Sequence, residues 1–270
     1  MEVQSDESRG LPVVVAFGGG TNSTAMLCGF RERGIIPSLI CFADTGGEMP
    51  HTYEHVAEMD GKCREWWGIG IEVVDAKYKG EPESLEVSCI RKKTLPSLAF
   101  GFKACSLKHK VDPQNKRVKQ WMKDNAKSEV IRCIGYDAGE NHRSINKKEG
   151  YLSKSLKERF SYPLIDWGWR RKDCVEAISR HGITQPGKSS CFFCPAMKRH
   201  EILKLRDEKP ELYARAIAME SGMEVKGRVR GLSMGVPWSE IVAADDAQAK
   251  LFDWIGEHAT PAAPCGCYDG

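Results

Sequence analysis

The 270-residue sequence contains no run of 18 apolar residues, the length a membrane-spanning helix requires. Residues 1–10 (MEVQSDESRG) are polar and acidic and hold no apolar signal core, so a cytoplasmic protein without membrane contact is expected. Excess charge is lacking too: 40 Lys and Arg against 37 Asp and Glu leave a net +3. So small an imbalance excludes duplex binding driven by bulk charge. It leaves only a local basic patch, for which Lys103, Lys108, Lys110, Lys116, Arg117 and Lys119 are the candidates. A solvated charged face is the simpler reading of that stretch. There is no internal repeat, which argues against an array architecture, and no low-complexity segment.

What is present reads as an ordinary globular chain, 41% hydrophobic and 29% charged. At this length folding buries roughly 70–75% of the unfolded surface, so disulfide staples are unnecessary. The eleven cysteines, in a reducing compartment, are therefore not a disulfide framework. Cys28, Cys41, Cys63, Cys133 and Cys174 lie in apolar-patterned segments and read as small core residues.

The first half alternates strand and helix signals. Val13–Phe17, Ser38–Ala43, Ile71–Asp75 and Val130–Gly135 are short apolar, β-branched runs. Between them, Ser23 offers an N-cap to a helix over Thr24–Arg33 that Gly34 ends, and Thr52–Trp67 carries helical spacing. Continuous apolar strands separated by helices imply a doubly wound, mostly parallel α/β sheet with helices on both faces. Residues 80–128 are less regular and Lys-rich, an insertion or helical lid. From Tyr162 the pattern changes to an extended turn (162–169), a helix over Lys172–Arg180 ended by Gly182, and further helices over 198–222 and 238–256. The expected organisation is a flexible 1–10, a nucleotide-binding domain over 11–165 and a mostly helical region over 166–270.

Gly18-Gly19-Gly20-Thr21-Asn22-Ser23-Thr24 joins the first strand to the first helix. Glycines there allow a sharp turn that presents backbone N–H groups, and the helix N-terminus adds partial positive charge, so a phosphate or pyrophosphate is the natural guest. The loop lacks a Gly-Lys-Ser/Thr ending, which excludes a Walker A loop, and Ser23 replaces the third glycine of the dinucleotide fingerprint. A turn that binds nothing is the bland alternative.

The segment resembles the PP-loop, SGGxDS, of ATP pyrophosphatases. Gly19, Gly20 and Ser23 match, Gly18 stands for the first Ser and Asn22 for the Asp. Asp44-Thr45-Gly46 with Pro50 and Thr52 is similar to the DTGxxFPET stretch of PAPS reductase-like proteins, and Gly135 to Glu140, including Asp137, with Arg143 to their GxRxDE(S)xxR segment. Tyr162–Trp167 resembles their P-L-x-x-W stretch. Together these cover about residues 13–195 in order. The resemblance implies an adenine nucleotide, ATP with Mg²⁺, at the carboxyl ends of the strands. Loop 18–24 would hold its phosphates, Asp44 and Thr45 would lie near ribose or phosphates, and Arg143 would contact phosphate. Ser23, Asp44 and Arg143 are the catalytic candidates that this implies. A turn cap for Asp44 and a surface ion pair for Arg143 are the structural alternatives.

Cys191-Phe192-Phe193-Cys194-Pro195 is a C-x-x-C in a turn-rich segment, able to bind one metal centre or form a redox pair. Cys105, Cys265 and Cys267 can complete a four-thiolate site, which suits a 4Fe–4S cluster or structural Zn²⁺. The resemblance, which extends to the sulfur-inserting enzyme of DNA phosphorothioation, implies a 4Fe–4S cluster on Cys105, Cys191, Cys194 and one tail cysteine, Cys267 by preference, with Cys89 as a substitute. The tail lacks the Glu and His that flank the reactive cysteine of assimilatory PAPS reductases, which counts against reductase activity. The expected activity is adenylation of a substrate with pyrophosphate release, followed by sulfur transfer. By the same likeness the substrate is a nucleic acid or nucleotide and the sulfur comes from a donor protein, with Lys103, Lys108 and Lys110 steering phosphate. The alternatives are a thiol-dependent PAPS or adenylyl-sulfate reductase and a non-catalytic nucleotide-binding protein with structural zinc.

Overall fold

A computed structural model describes residues 10–96, 104–144, 149–222, 231–233 and 236–258. The expectations for residues 1–9, Lys103, Cys265 and Cys267 fall outside these. The elements run β1 (Val13–Phe17), α1 (Thr21–Glu32), β2 (Leu39–Asp44), α2 (Pro50–Trp67), β3 (Ile71–Asp75) and the small hairpin β4–β5 (Lys77–Tyr78, Glu81–Pro82). Helix α3 (Leu85–Lys92) follows. A helical turn (Ala104–Ser106) and a π-turn (Leu107–Val111) lead into α4 (Asp112–Asp124), so the irregular Lys-rich stretch is helical where it is described. Then come β6 (Glu129–Ile134), a 3₁₀ turn (Ala138–Arg143), β7 (Glu149–Ser153), β8 (Leu156–Ser161) and helices α5 (Pro163–Asp166), α6 (Arg171–Arg180), α7 (Arg199–Glu208), α8 (Pro210–Ser221) and α9 (Trp238–His258). No helix among the described residues is long and apolar enough to cross a membrane.

Six strands form one sheet in the order β3-β2-β1-β6-β8-β7, parallel except for β7. This is the expected α/β class, and the strand period explains it. Val13, Val15 and Phe17 of β1, with Ile40, Phe42, Ile131 and Cys133, face α1, α2 and α6. The alternate residues Val14, Leu39, Cys41 and Val130 face Val118 and Met122 of α4. Both faces are apolar because both are covered, so the strands read as continuous runs. The five cysteines read as core residues are all buried, and burial raises the pKa of each, for Cys28, Cys41, Cys63 and Cys174 to about 12.

Three expectations need correction. Helix α1 begins at Thr21 with Gly20 as N-cap, not after a Ser23 cap. Residues 163–166, expected as an extended turn, form the short helix α5. Strands β7 and β8 were not expected at all, because Glu158 and Arg159 give β8 a polar look. Glu158 is in fact buried and paired with buried Arg132 of β6 at 3.1 Å. The charge hides inside the sheet, where each partner offsets part of the other's desolvation cost.

A second apolar core lies beyond the sheet. It joins Leu85 and Cys89 of α3, the Cys191–Phe193 turn, Ile202 and Leu205 of α7, Leu212 and Met219 of α8, and Trp238 of α9. The cysteine turn is the seam between this helical core and the carboxyl edge of the sheet.

Candidate functional site

All the parallel strands end at one edge, and the loop after β1 turns there. Gly19 adopts φ +68°, a left-handed conformation that glycine tolerates and a side chain resists. Ser23 lies one turn into α1, and its hydroxyl folds back on the loop. It accepts from Gly18 N–H at 3.2 Å and Gly20 N–H at 3.3 Å, and donates to Gly20 O at 3.0 Å. Thr24 Oγ1 donates to the same carbonyl at 3.0 Å and stands 2.8 Å from Nε2 of buried His55. With the Thr24 proton committed to Gly20, the His55 contact is an Nε2–H donating to Thr24. Burial lowers the His55 pKa and favours that neutral ring, against the pull of Glu58. Gly135, at the end of β6, is glycine for space: a Cβ there would meet Ser23 N and Cα at 3.0 Å. The loop is thus held from beneath, while the first N–H groups of α1 lack helical acceptors, as at any helix start.

Beside the loop, Asn22 Nδ2 donates to Asp137 Oδ2 and to Glu140 Oε2, each at 3.0 Å. Its Oδ1 accepts a long bond from Arg171 at 3.4 Å. Asp137 also caps the 3₁₀ turn by accepting from Gly139 N–H at 2.8 Å. Arg143 is paired with Glu140 at 2.6 Å, the surface ion pair that was its structural alternative. Its guanidinium lies 4.0 Å over the Tyr136 ring, which stacks in turn on Tyr162 at 5.6 Å and 12°. Two carboxylates, an arginine and a tyrosine stack therefore converge on one side of the glycine loop.

On the other side lies the loop after β2. Asp44 Oδ1 accepts from Gly46 N–H at 2.7 Å and from Tyr53 OH at 2.8 Å, a turn-holding role. Thr45 is buried and donates to Glu48 Oε1 at 3.0 Å. Glu48, also buried, pairs with Lys110 Nζ at 2.8 Å. Cys191 Sγ sits 3.1 Å from Thr45 Oγ1 and 3.8 Å from Glu48 Oε1. Burial pushes the Cys191 thiol up to about 12, Glu48 adds to the rise, and Lys110 opposes it. Lys110 keeps a raised pKa despite its own burial, because Glu48, Cys191 and Cys194 all face it.

Segment 187–194 ties these parts together. Met49 N–H donates to Ser190 O at 3.2 Å and Phe192 N–H to Gly47 O at 2.8 Å, an isolated antiparallel bridge between Glu48 and Cys191. Cys194 N–H closes the turn onto Cys191 O at 3.1 Å. Ser189 hangs over the glycine loop so closely that a Cβ on Gly20 would lie 2.8 Å from its hydroxyl. The C-x-x-C and the glycine loop, far apart in the chain, thus meet within a few residues.

Of the expected ligands, Cys191 belongs to the second core, and Cys105 and Cys194 pack half-buried against it. Cys89 is close enough to Cys105 for the two thiols to interact electrostatically. Among the described residues no three His, Cys, Asp or Glu side chains converge as a metal site. Glu48 and Ser189 were not singled out from sequence, and Lys110 only as a steering charge. Nothing in the DTGGEMP or GKSSC context marks them, because their partners are remote in sequence.

The fold thus defines an α/β protein with a glycine-loop edge and a cysteine turn docked upon it. No family model matches the chain. Its sequence is 24% identical over 212 residues to the uncharacterized protein MJ0066 of Methanocaldococcus jannaschii, an alignment that takes in 75% of this chain. The chain spans 40% of the length of that curated relative. Among solved structures, the U34-tRNA thiolase NcsA from Methanococcus maripaludis with its 4Fe–4S cluster aligns at a TM-score of 0.42 and 15% identity, over 82% of this chain and 74% of that one. A likeness at that level carries no argument about activity.

Proposed function

We propose that this protein is an ATP-dependent sulfur-transfer enzyme of the PP-loop, PAPS reductase-like kind. The observation that supports it most is the docking of the C-x-x-C turn on the loop after β2, with Ser189 over Gly20. Nucleotide chemistry and thiol chemistry then share one edge.

In this reading the N-terminus of α1 and loop 18–24 receive the ATP phosphates. An acceptor oxygen attacks the α-phosphorus, the bond to the β-phosphate oxygen breaks, and pyrophosphate leaves. A sulfide-level sulfur from a donor then displaces AMP, so the exchange is redox-neutral. Asp137 and Glu140, already aimed at one point by Asn22, have the hard oxygen donors that Mg²⁺ uses alongside substrate phosphates. Were Glu140 to hold Mg²⁺, Arg143 would be free to meet phosphate, where a guanidinium suits bidentate contact. Asp44 acts by holding its turn, a positioning role.

Cys105, Cys191 and Cys194, with Cys267 by preference as the fourth, would hold a 4Fe–4S cluster. Thiolates are the right donors, with Cys191 buried in the second core and Cys105 and Cys194 half-buried against it. When bound, the cluster supplies an iron site for sulfur. Lys110 stabilises thiolate at Cys191, and Glu48 and Thr45 fix its position.

Anaerobic purification with a visible spectrum and assays of iron, sulfide and zinc tests this. About four iron and four sulfide per chain are expected. A colourless protein with one tight zinc would sink the sulfur-transfer reading and leave a nucleotide-binding protein with a structural thiolate site.

A further inference from the structure

Beyond the end of β3 lies a cavity of about 320 Å³ between the β3–β4 connection, the C-terminal end of α3 and the π-turn that opens α4. It is on the same sheet edge as the glycine loop and the cysteine turn, but outside the site described above. Its wall carries five fixed cations, Lys77, Arg91, Lys92, Lys108 and Lys116. Arg91 is neutralised by a two-point bond to Glu83, at 2.6 and 3.0 Å. That leaves four exposed lysines facing Asp112, the other acidic residue in the wall, in a chain whose overall charge is only +3.

The floor is more telling. His109 lines the cavity and is 4% exposed, and its Nδ1 has no hydrogen-bond partner. Buried polar atoms are nearly always satisfied, so an orphan on a residue that lines a cavity marks a missing partner. The π-turn accounts for its placement. The Asp112 N–H bonds back to Leu107 O, a five-residue step that widens the helix. Lys110 reaches Glu48 at the cysteine turn, while Lys108 and His109 line the cavity. Burial and the lysines around it lower the His109 pKa, so the ring is neutral at pH 7 with one N–H to give.

We propose that this cavity seats a backbone phosphate of a nucleic-acid strand, with His109 Nδ1–H as the buried donor and Lys77, Lys92, Lys108 and Lys116 as counter-charges. The strand would run along the carboxyl edge, so that its acceptor group reaches the cysteine turn. The proposal rests on the sulfur-transfer reading and names its acceptor class. A polyanion is favoured over a free anion because the lysines are exposed around a single buried donor. Lys92 and Lys108 also belong to the segments that carry Cys89 and Cys105, so a bound strand passes close to the thiols.

The test is fluorescence anisotropy with a labelled single-stranded DNA and the RNA of the same sequence, titrated at several salt concentrations. The wild-type protein, as purified anaerobically, is compared with a Lys108→Glu, Lys116→Glu double variant and with His109→Gln. The double variant should lose about 100-fold in affinity at low salt and reduce the log–log salt slope by about 2. His109→Gln should weaken binding by about tenfold with the slope unchanged, because the ring carries no charge. Binding of Mg·ATP, read by calorimetry, should be the same in all three. Unchanged affinity and slope in the double variant would overturn the proposal. So would displacement of both strands by equimolar inorganic phosphate, which would make this a small-anion site. Strand binding by a protein that carries zinc instead of iron would uphold the cavity and sink the sulfur-transfer reading. An iron-loaded protein with no strand binding would do the reverse.

Discussion

Cys133 in the sheet and Cys191 in the helical core are both hidden from solvent, yet their surroundings differ. Cys133 belongs to the apolar sheet core, on a strand between β1 and β8, and the polar group at its thiol is the Ser161 hydroxyl. Burial and, to a lesser degree, Asp166 raise its pKa, and the Ser161 hydroxyl opposes them. Cys191 has a carboxylate, a hydroxyl and an ammonium group around its sulfur. An ion pair with its carboxylate buried is a costly thing to place beside a residue whose only task is to fill space. The contrast separates a cysteine packed as a small hydrophobe from one set among charged and polar groups, the setting that the proposed cluster role would use.

The sharpest way to break that comparison is to remove each thiol. Cys191→Ala should abolish bound iron. Cys133→Ala should keep its iron and lose about 1–2 kcal/mol by denaturant titration. If both variants keep their iron, Cys191 is a core residue like the others.

Next in size is the ion pair. Lys110→Met strands the Glu48 carboxylate in the core and should cost about 2–3 kcal/mol, less than for a fully buried pair because Lys110 is partly exposed. Adding Glu48→Gln should recover most of that stability without restoring iron. Full recovery of iron in the double variant would show that the pair only supports packing.

The nucleotide side offers a smaller effect. Asn22→Asp would bring a third carboxylate against Asp137 and Glu140, so the variant should be destabilised without divalent cation. Mg²⁺ should restore it and bind about tenfold more tightly than to the wild type, about 1.4 kcal/mol. Mg²⁺-independent stability would show that these carboxylates do not share an ion.

The smallest effect is on pH. The folded-state pKa of His55 lies below its ordinary 6.5, so the unfolded chain binds more protons in that range. Its contribution to stability is complete above pH 6.5 and falls away as the pH drops below it. The loss, by urea titration at pH 7.5 and 5.5, should be about 1 kcal/mol and smaller in His55→Asn.

The same contrast explains what the sequence made legible. Strands β1, β2, β3 and β6 announce themselves because apolar runs need no partner to be recognised. Strand β8 escapes because its buried Glu158 looks like a surface residue until Arg132 is placed beside it. Ser23 has the chemistry of an N-cap and suggests a later start for α1, but the three glycines let the helix begin at Thr21 and the Ser23 hydroxyl turn back onto Gly20. The glycine loop and the C-x-x-C could be picked out separately. Their meeting could not, since it depends on backbone bonds between Gly47–Met49 and Ser190–Phe192, which no local pattern encodes.

That meeting is the centre of the account, and hydrogen exchange with and without Mg·ATP tests it most directly. Nucleotide should slow exchange in two separate segments, 18–24 and 187–194, and leave the α7–α8 helices unchanged. Protection of the glycine loop alone, or of neither segment, would contradict a shared nucleotide and cysteine site.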